Sequence, residues 1–146
     1  MIALDASVWL STLLTDDVHH MLSEAWLQKW MQEGGRIVVP AIFLPEVSGA
    51  LARRSGSTER GYRAINDLIS NPLLHVHHGD DDLAEAAGAI AATHRLRGAD
   101  AVYVALAAHL DVPLVTWDRE QIERTTGAVS ALTLETMPPR AQPTDA

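Results

Sequence analysis

Apolar residues along this chain follow two spacings, one suited to buried strands and one to amphipathic helices. Ile2, Ala3 and Leu4 form a short unbroken apolar run that stops at Asp5. A run that brief, without polar alternation, predicts a strand covered on both faces. Arg36–Val39, closed by Pro40, and Pro113–Thr116 read the same way, Leu73–His77 alternates, and Ala131–Leu134 predicts a last strand. Between these runs the spacing is helical. Ser7–Leu14 predicts a turn or two of helix, followed by a break at Thr15-Asp16-Asp17. In Asp17–Glu33 the apolar residues fall at Val18, Met21, Leu22, Ala25, Trp26 and Trp30, and Gly34-Gly35 provides the stop. Further helices are predicted over Ala41–Arg54, over Thr58–Ile69 with Thr58 as cap, and from Asp80-Asp81-Asp82 to about Arg95. Gly98 breaks the pattern, and Ala99–Leu110 and Arg119–Thr126 complete the set. Strands that alternate with helices predict an α/β domain with a mostly parallel central sheet and helices on both faces. Residues 1–137 read as one domain, and the polar, proline-rich stretch 138–146 reads as a flexible tail.

Composition narrows the class. A chain of 146 residues with 47% hydrophobic content can bury a core of its own. It contains no cysteine, which excludes disulfides, thiolate zinc sites and a cysteine nucleophile and suits a reducing cytoplasm. Met1-Ile-Ala-Leu-Asp5 has no basic leader and no long apolar stretch, so neither a signal peptide nor a membrane span is expected. The formal net charge of −8 argues against loose, charge-driven binding to nucleic acid. Any nucleic-acid contact must then come from a local cluster of cations.

The candidate chemistry lies in the acids. Ligands of open parallel sheets bind outside the carboxyl ends of the strands. Asp5 follows the first strand and Asp118 follows the strand ending at Thr116. Glu46 falls in the first turns of the helix after the second strand, and Asp100 opens the helix after Gly98. Helix starts open onto the same edge when the strands are parallel. Asp5, Glu46 and Asp100 are each flanked by apolar residues, and buried carboxylates require a partner. A divalent cation would relieve their mutual repulsion, and an all-oxygen set suits magnesium or manganese. Singly, each acid reads equally well as a helix cap or a surface charge; the conjunction carries the expectation.

Other readings of the same residues fail on missing partners. A phosphoaspartyl hydrolase needs a second Asp two residues after the first, where Ser7 stands, and a catalytic lysine; Lys29, the sole lysine, lies in a helix rich in apolar residues. A response-regulator receiver needs an early acidic pair and a late lysine. Neither G-x-x-x-x-G-K-[ST] nor G-x-G-x-x-G occurs, and no G-x-S-x-G elbow is present. His75 and His77 would share a strand face able to bind zinc, but no H-E-x-x-H or cysteine joins them.

Four segments together resemble the PIN domain, and more narrowly the VapC toxins of toxin–antitoxin pairs. They are I-A-L-D-A-S at Ile2–Ser7, P-A-I-F-L-P-E-V at Pro40–Val47, R-G-A-D-A-V-Y-V-A-L-A at Arg97–Ala107 and L-V-T-W-D-R-E at Leu114–Glu120. The resemblance spans nearly the whole chain in order, and the segment around Asp100 is its most specific part. It implies a PIN-like three-layer sandwich and a magnesium- or manganese-dependent endoribonuclease. It also implies a homodimer and a VapB-like antitoxin. By resemblance the family's acidic quartet corresponds to Asp5, Glu46, Asp100 and Asp118, its supporting hydroxyl to Thr116, and a small polar position beside the first acid to Ser7. Related readings within reach are a PIN nuclease of RNA processing without an antitoxin, and a metal-binding interaction module without catalysis.

The expected chemistry has Asp5, Asp100 and Asp118 hold the metal, Glu46 hold a second ion or orient water, and Ser7 and Thr116 aim the carboxylates. Arg53, Arg54, Arg60 and Arg63 cluster in one stretch and are candidates for phosphate contacts, with Arg95 and Arg97 as additions. Arg53 shares a helix face with Glu46 and Ala50, about 10 Å along the axis from Glu46. The alternative is a solvated helix end whose arginines favour the C-terminal dipole. Trp9, Trp26 and Trp30 read chiefly as core, with a dimerisation or antitoxin contact as the alternative, and Phe43 and Tyr103 as packing residues near the site.

Overall fold

The computed structural model describes residues 1–138. The expected tail therefore lies outside the described residues, apart from Pro138. Five strands, β1 (Ile2–Leu4), β2 (Ile37–Pro40), β3 (Leu74–His77), β4 (Leu114–Val115) and β5 (Ala131–Leu132), form one sheet in the order β3-β2-β1-β4-β5. Every pairing is parallel. The helices are α1 (Ala6–Leu13), α2 (His20–Gln32), α3 (Phe43–Ser55), α4 (Thr58–Ser70), α5 (Asp81–His94), α6 (Gly98–Leu110) and α7 (Arg119–Arg124).

The chain steps outward from β1 to β3, then crosses back to β4 and β5. Right-handed crossovers therefore put α1–α4 on one face and α5–α7 on the other. The packing agrees: α3 lies against α1 and α4, whereas α6 lies against α5 and against β1, β2 and β4. This is the doubly wound, three-layer α/β arrangement expected from the alternation of elements. The central strands carry the unbroken apolar runs. Ile2–Leu4, Ile37–Val39 and Leu114–Val115 are all buried, while the edge strands β3 and β5 are half-exposed. Helix α6 is the most deeply covered, with Ala101 and Tyr103 through Ala107 all in the interior.

Several boundaries move from their expected places for local reasons. The cap of α4 is Ser57, not Thr58. Ser57 has an extended backbone, and its hydroxyl accepts from the Arg60 N–H at 3.3 Å. Helix α2 starts at His20, because the Asp17 carboxylate accepts from the His19 N–H at 2.9 Å and closes a turn first. Gly98 begins α6 and does not merely interrupt the chain; the break before it is made by Arg95, which ends α5 in the left-handed region at φ 55°. The last strand stops at Leu132, since Leu134–Thr136 form a turn.

The interface between α3 and α4 depends on Gly61. A Cβ there would stand 2.9 Å from the Ser48 carbonyl oxygen and 3.2 Å from the Ala52 methyl. Backbone cannot retreat cheaply. Gly61→Val should therefore lower unfolding free energy by about 1–3 kcal/mol through overpacking, measured by urea denaturation. An unchanged midpoint would show that the two helices can separate without loss.

Candidate active site

Parallel register decides where the first acid goes. Leu4 pairs with Val115, and the Asp5 N–H donates to the Val115 carbonyl at 2.9 Å. Asp5 thus leaves β1 beside the end of β4, at the point where the strand order reverses. Such switch points are where open parallel sheets form ligand crevices. Asp5 also caps α1, its Oδ2 accepting from the Ser7 N–H at 2.9 Å. Although charged, it is only 7% exposed.

The other acids arrive from three different elements. Asp118 caps α7 just past β4; its Oδ1 accepts from the N–H groups of Glu120 and Gln121 at 2.9 and 3.2 Å. Asp100 sits in the first turn of α6, and Glu46 in the first turn of α3. Asp5, Glu46, Asp100 and Asp118 line one cleft of about 270 Å³, together with Ser7, Arg53 and Arg97. The two hydroxyls stitch its floor. Fully buried Thr116 accepts from the Asp118 N–H at 3.0 Å and hydrogen-bonds the Asp5 side chain. Ser7 Oγ accepts from the Trp117 N–H at 3.1 Å and also hydrogen-bonds Asp5.

Electrostatics separate the acids. Burial pushes the Asp5 carboxyl above its ordinary value of 3.8, and the nearby Asp100 charge adds to this against the hydrogen bonds from Ser7 and Thr116. Burial also raises Glu46, partly offset by the Tyr103 hydroxyl, which donates to Glu46 Oε2. Desolvation in turn raises Tyr103 well above its ordinary 10.0, with the Asp5 charge next in importance, so it remains a proton donor. The sequence placed it near the site as a packing residue, and its hydrogen bond to Glu46 was not legible there. Spacing offered one unused signal: Tyr103 follows Asp100 by three positions on α6, and so shares its helix face.

Arg97 carries the countercharge inside the site. From the cap position of α6 its Nε donates to Asp100 Oδ2 at 2.9 Å and its Nη2 to Asp118 Oδ2 at 3.2 Å. The clustered charge, for which the sequence suggested a dication, is therefore already relieved in part by Arg97. The hydrogen bond to Asp100, and then the charges of Asp100 and Asp118, raise the Arg97 pKa further. Gln121 was also missed. It is buried on α7 and donates to the Asp100 carbonyl at 3.2 Å, which ties the Asp118 helix to the Asp100 helix.

The arginine cluster divides. Arg53 lines the acidic cleft, along the face of α3 that carries Glu46 and Ala50. Arg54 turns away to Asp16 and Asp17, at 3.3 and 3.7 Å. Arg60 and Arg63 line a separate cavity with Trp9, Leu13, Leu51 and Leu68, and Arg63 pairs with Glu59 at 2.7 Å. Arg95 ends α5, and its carbonyl accepts from Arg124. Among the described residues, no three Asp, Glu or His side chains are arranged to grip a single ion as they lie. The donor chemistry nevertheless fits a hard divalent cation: four carboxylates face one cleft without sulfur or imidazole. An ion between Asp100 and Asp118 would compete with Arg97 for their Oδ2 atoms.

A parallel α/β domain with an acidic crevice at its switch point defines a class, and comparison identifies the family within it. The family model described as the PIN domain matches residues 2–127, and the chain belongs to that family. Its fold is also that of solved VapC-type toxins. VapC20 of Mycobacterium tuberculosis, a toxin that cleaves the sarcin–ricin loop, is 20% identical with a TM-score of 0.73, over 89% of this chain and 98% of that one. FitAcB from Neisseria gonorrhoeae is 18% identical with a TM-score of 0.72, over 94% and 100% respectively. A toxin–antitoxin complex from Klebsiella pneumoniae is 17% identical with a TM-score of 0.66, over 92% and 98%. No curated protein matches the chain by sequence.

The buried acid yields a pH prediction. Above its raised folded-state pKa, ionised Asp5 costs stability; below the ordinary 3.8 it is protonated in folded and unfolded chains alike and contributes nothing. Asn can keep the cap on α1. Asp5→Asn, melted without divalent ions, should raise the melting temperature at neutral pH, and the gain should shrink as pH falls through that window. Equal melting temperatures at pH 7 would contradict a desolvated carboxylate.

Proposed function

We propose that this protein is a metal-dependent endoribonuclease, the toxin of a toxin–antitoxin pair. The observation that carries the reading is the convergence of Asp5, Glu46, Asp100 and Asp118, from four separate elements, on one cleft of a PIN domain. Asp5, Asp100 and Asp118 would hold magnesium or manganese, with Glu46 close by. Such an ion supplies Lewis-acid neutralisation of the scissile phosphate and eases deprotonation of water.

The chain's own groups do the rest. Ser7 and Thr116 hold Asp5, and backbone caps hold Asp118, so those carboxylates are oriented before substrate arrives. Glu46, steadied by the Tyr103 hydroxyl, orients the attacking water and takes its proton. Water oxygen bonds to phosphorus as the bond to the 3′-oxygen breaks, and that oxygen leaves in line and takes up a proton from solvent. The products are a 5′-phosphate and a 3′-hydroxyl, and the 2′-hydroxyl is not needed as nucleophile. Arg53, on the cleft wall, contacts a phosphate beside the scissile one. Local placement of this kind reconciles RNA binding with a net charge of −8.

The partner reading draws on the solved relatives, which include a toxin and a toxin–antitoxin complex. A VapB-like antitoxin would use the second cavity, of about 260 Å³, where Trp9, Leu13, Leu51 and Leu68 supply apolar surface and Arg60, Arg63, Asp67 and Asn71 a mixed polar border. An amphipathic helix suits such a groove. The protein would act as a homodimer on cytoplasmic RNA. No helix among the described residues is long and apolar enough to cross a membrane.

The test is incubation of total RNA with the purified chain and manganese, with 5′-end mapping of products. Cleavage should leave 5′-phosphates, stop in EDTA, and fall by at least about 100-fold in Asp100→Asn, in line with loss of metal-assisted electrostatic stabilisation. Expression in a host without the antitoxin should arrest growth, and Asp5→Asn should relieve the arrest. Cleavage that persists in EDTA would defeat the metal reading; harmless expression of an active enzyme would defeat the toxin reading alone.

A further inference from the structure

Arg97 holds an unusual position for an exposed residue. Its side chain is 74% exposed, yet it bridges two acids of the cleft that are only 17% and 26% exposed. The oxygens it takes are telling. Asp118 commits Oδ1 to the backbone of α7 and leaves Oδ2, which receives Arg97. Asp100 likewise gives Oδ2 to Arg97. The guanidinium therefore claims the Asp118 oxygen that an ion between Asp100 and Asp118 would need, and one of the two Asp100 oxygens. It cannot make way by losing its charge, since arginine stays protonated. It can make way by swinging out, because an exposed pair is held weakly and water replaces the bonds.

We propose that Arg97 is a tethered counter-ion that a divalent cation displaces from Asp100 and Asp118, and that the released guanidinium then contacts the RNA phosphate at the cleft. The proposal rests on the metal-nuclease reading above and adds a role for Arg97 within it. Before an ion binds, the arginine screens two clustered carboxylates. Afterwards the dication takes over that screening, and the arginine is left charged, mobile and next to the place where phosphate arrives. Guanidinium donors match phosphate oxygens in a fork. The same side chain thus lowers the affinity for the ion and raises the affinity for the substrate's charge.

The two halves predict opposite effects of one substitution. Arg97→Gln, in the full chain without RNA, should bind Mn2+ roughly threefold to tenfold more tightly than the wild type by calorimetry, with Asp118→Asn as the non-binding control. At saturating Mn2+ the same variant should cleave RNA at least about tenfold more slowly, a loss of phosphate contact. Arg97→Lys, a point charge unable to bridge both acids, should lie between the two in Mn2+ affinity. In the wild-type protein the Arg97 Nε–H resonance should move on titration with diamagnetic Mg2+, which tests displacement without any variant. Tighter Mn2+ binding with slower cleavage supports both halves. Unchanged or weaker Mn2+ binding by Arg97→Gln, or an Nε–H resonance that ignores Mg2+, overturns the counter-ion role while leaving the nuclease reading standing. Tighter binding with undiminished cleavage overturns the phosphate contact. Absence of Mn2+ binding by the wild type and by Arg97→Gln alike defeats this proposal together with the metal reading.

Discussion

A carboxylate held at the end of a dry strand is the constraint around which this protein is arranged. Asp5 follows three fully buried residues and is itself almost without solvent. Its position is not negotiable, because the β1–β4 register hydrogen-bonds its backbone to Val115. A charge placed there must be met by donors, and the chain supplies them from three directions: the Ser7 N–H, the Ser7 hydroxyl and the Thr116 hydroxyl. Those donors in turn fix their neighbours. Ser7 receives the Trp117 N–H, and Thr116 receives the Asp118 N–H. The loop after β4 is thereby fastened to the start of α1, and the second acid is positioned by the first.

The remaining acids are held by a different means. Glu46 and Asp100 ride on helices that pack against opposite faces of the sheet, so no shared backbone ladder joins them. What joins them is α6, which is buried through its middle and carries both Asp100 and Tyr103. Tyr103 reaches Glu46, and Gln121 reaches back from α7 to the Asp100 carbonyl. The site is therefore supported from the core side by polar contacts inside a desolvated layer, where hydrogen bonds to charge are strongest. On the open side it is balanced by arginines. That division, rigid below and exchangeable above, is what a site needs if ions and phosphates are to come and go.

Net charge is a poor guide to such a site. The chain carries a formal −8, yet the cleft has Arg97 in its mouth and Arg53 on its wall. Screening over about 10 Å at moderate salt makes these near charges count for more than distant acids. Arginines adjacent in sequence took unrelated roles for a geometric reason. On α3 successive side chains diverge by about 100°, so Arg53 faces the acids while Arg54 faces Asp16 and Asp17.

Local pattern determined a good deal. Unbroken apolar runs at Ile2–Leu4 and Leu114–Val115 marked the central strands, because a strand covered on both faces has no polar side to show. Asp5 and Asp118, one at each strand end, were legible as neighbours in the cleft, because parallel strands deliver the residues after them to a common edge. Glu46 and Asp100 were legible as helix-start acids opening onto that same edge, and the resemblance joined all four into one set. Tertiary structure alone decided which side chains meet across elements. Tyr103 donating to Glu46, Gln121 to Asp100 and Arg97 to two acids at once all join residues whose sequence separation carries no period. Periodicity reports which face of an element is buried; it does not report which polar group waits on the other side, because that depends on how separately formed layers stack.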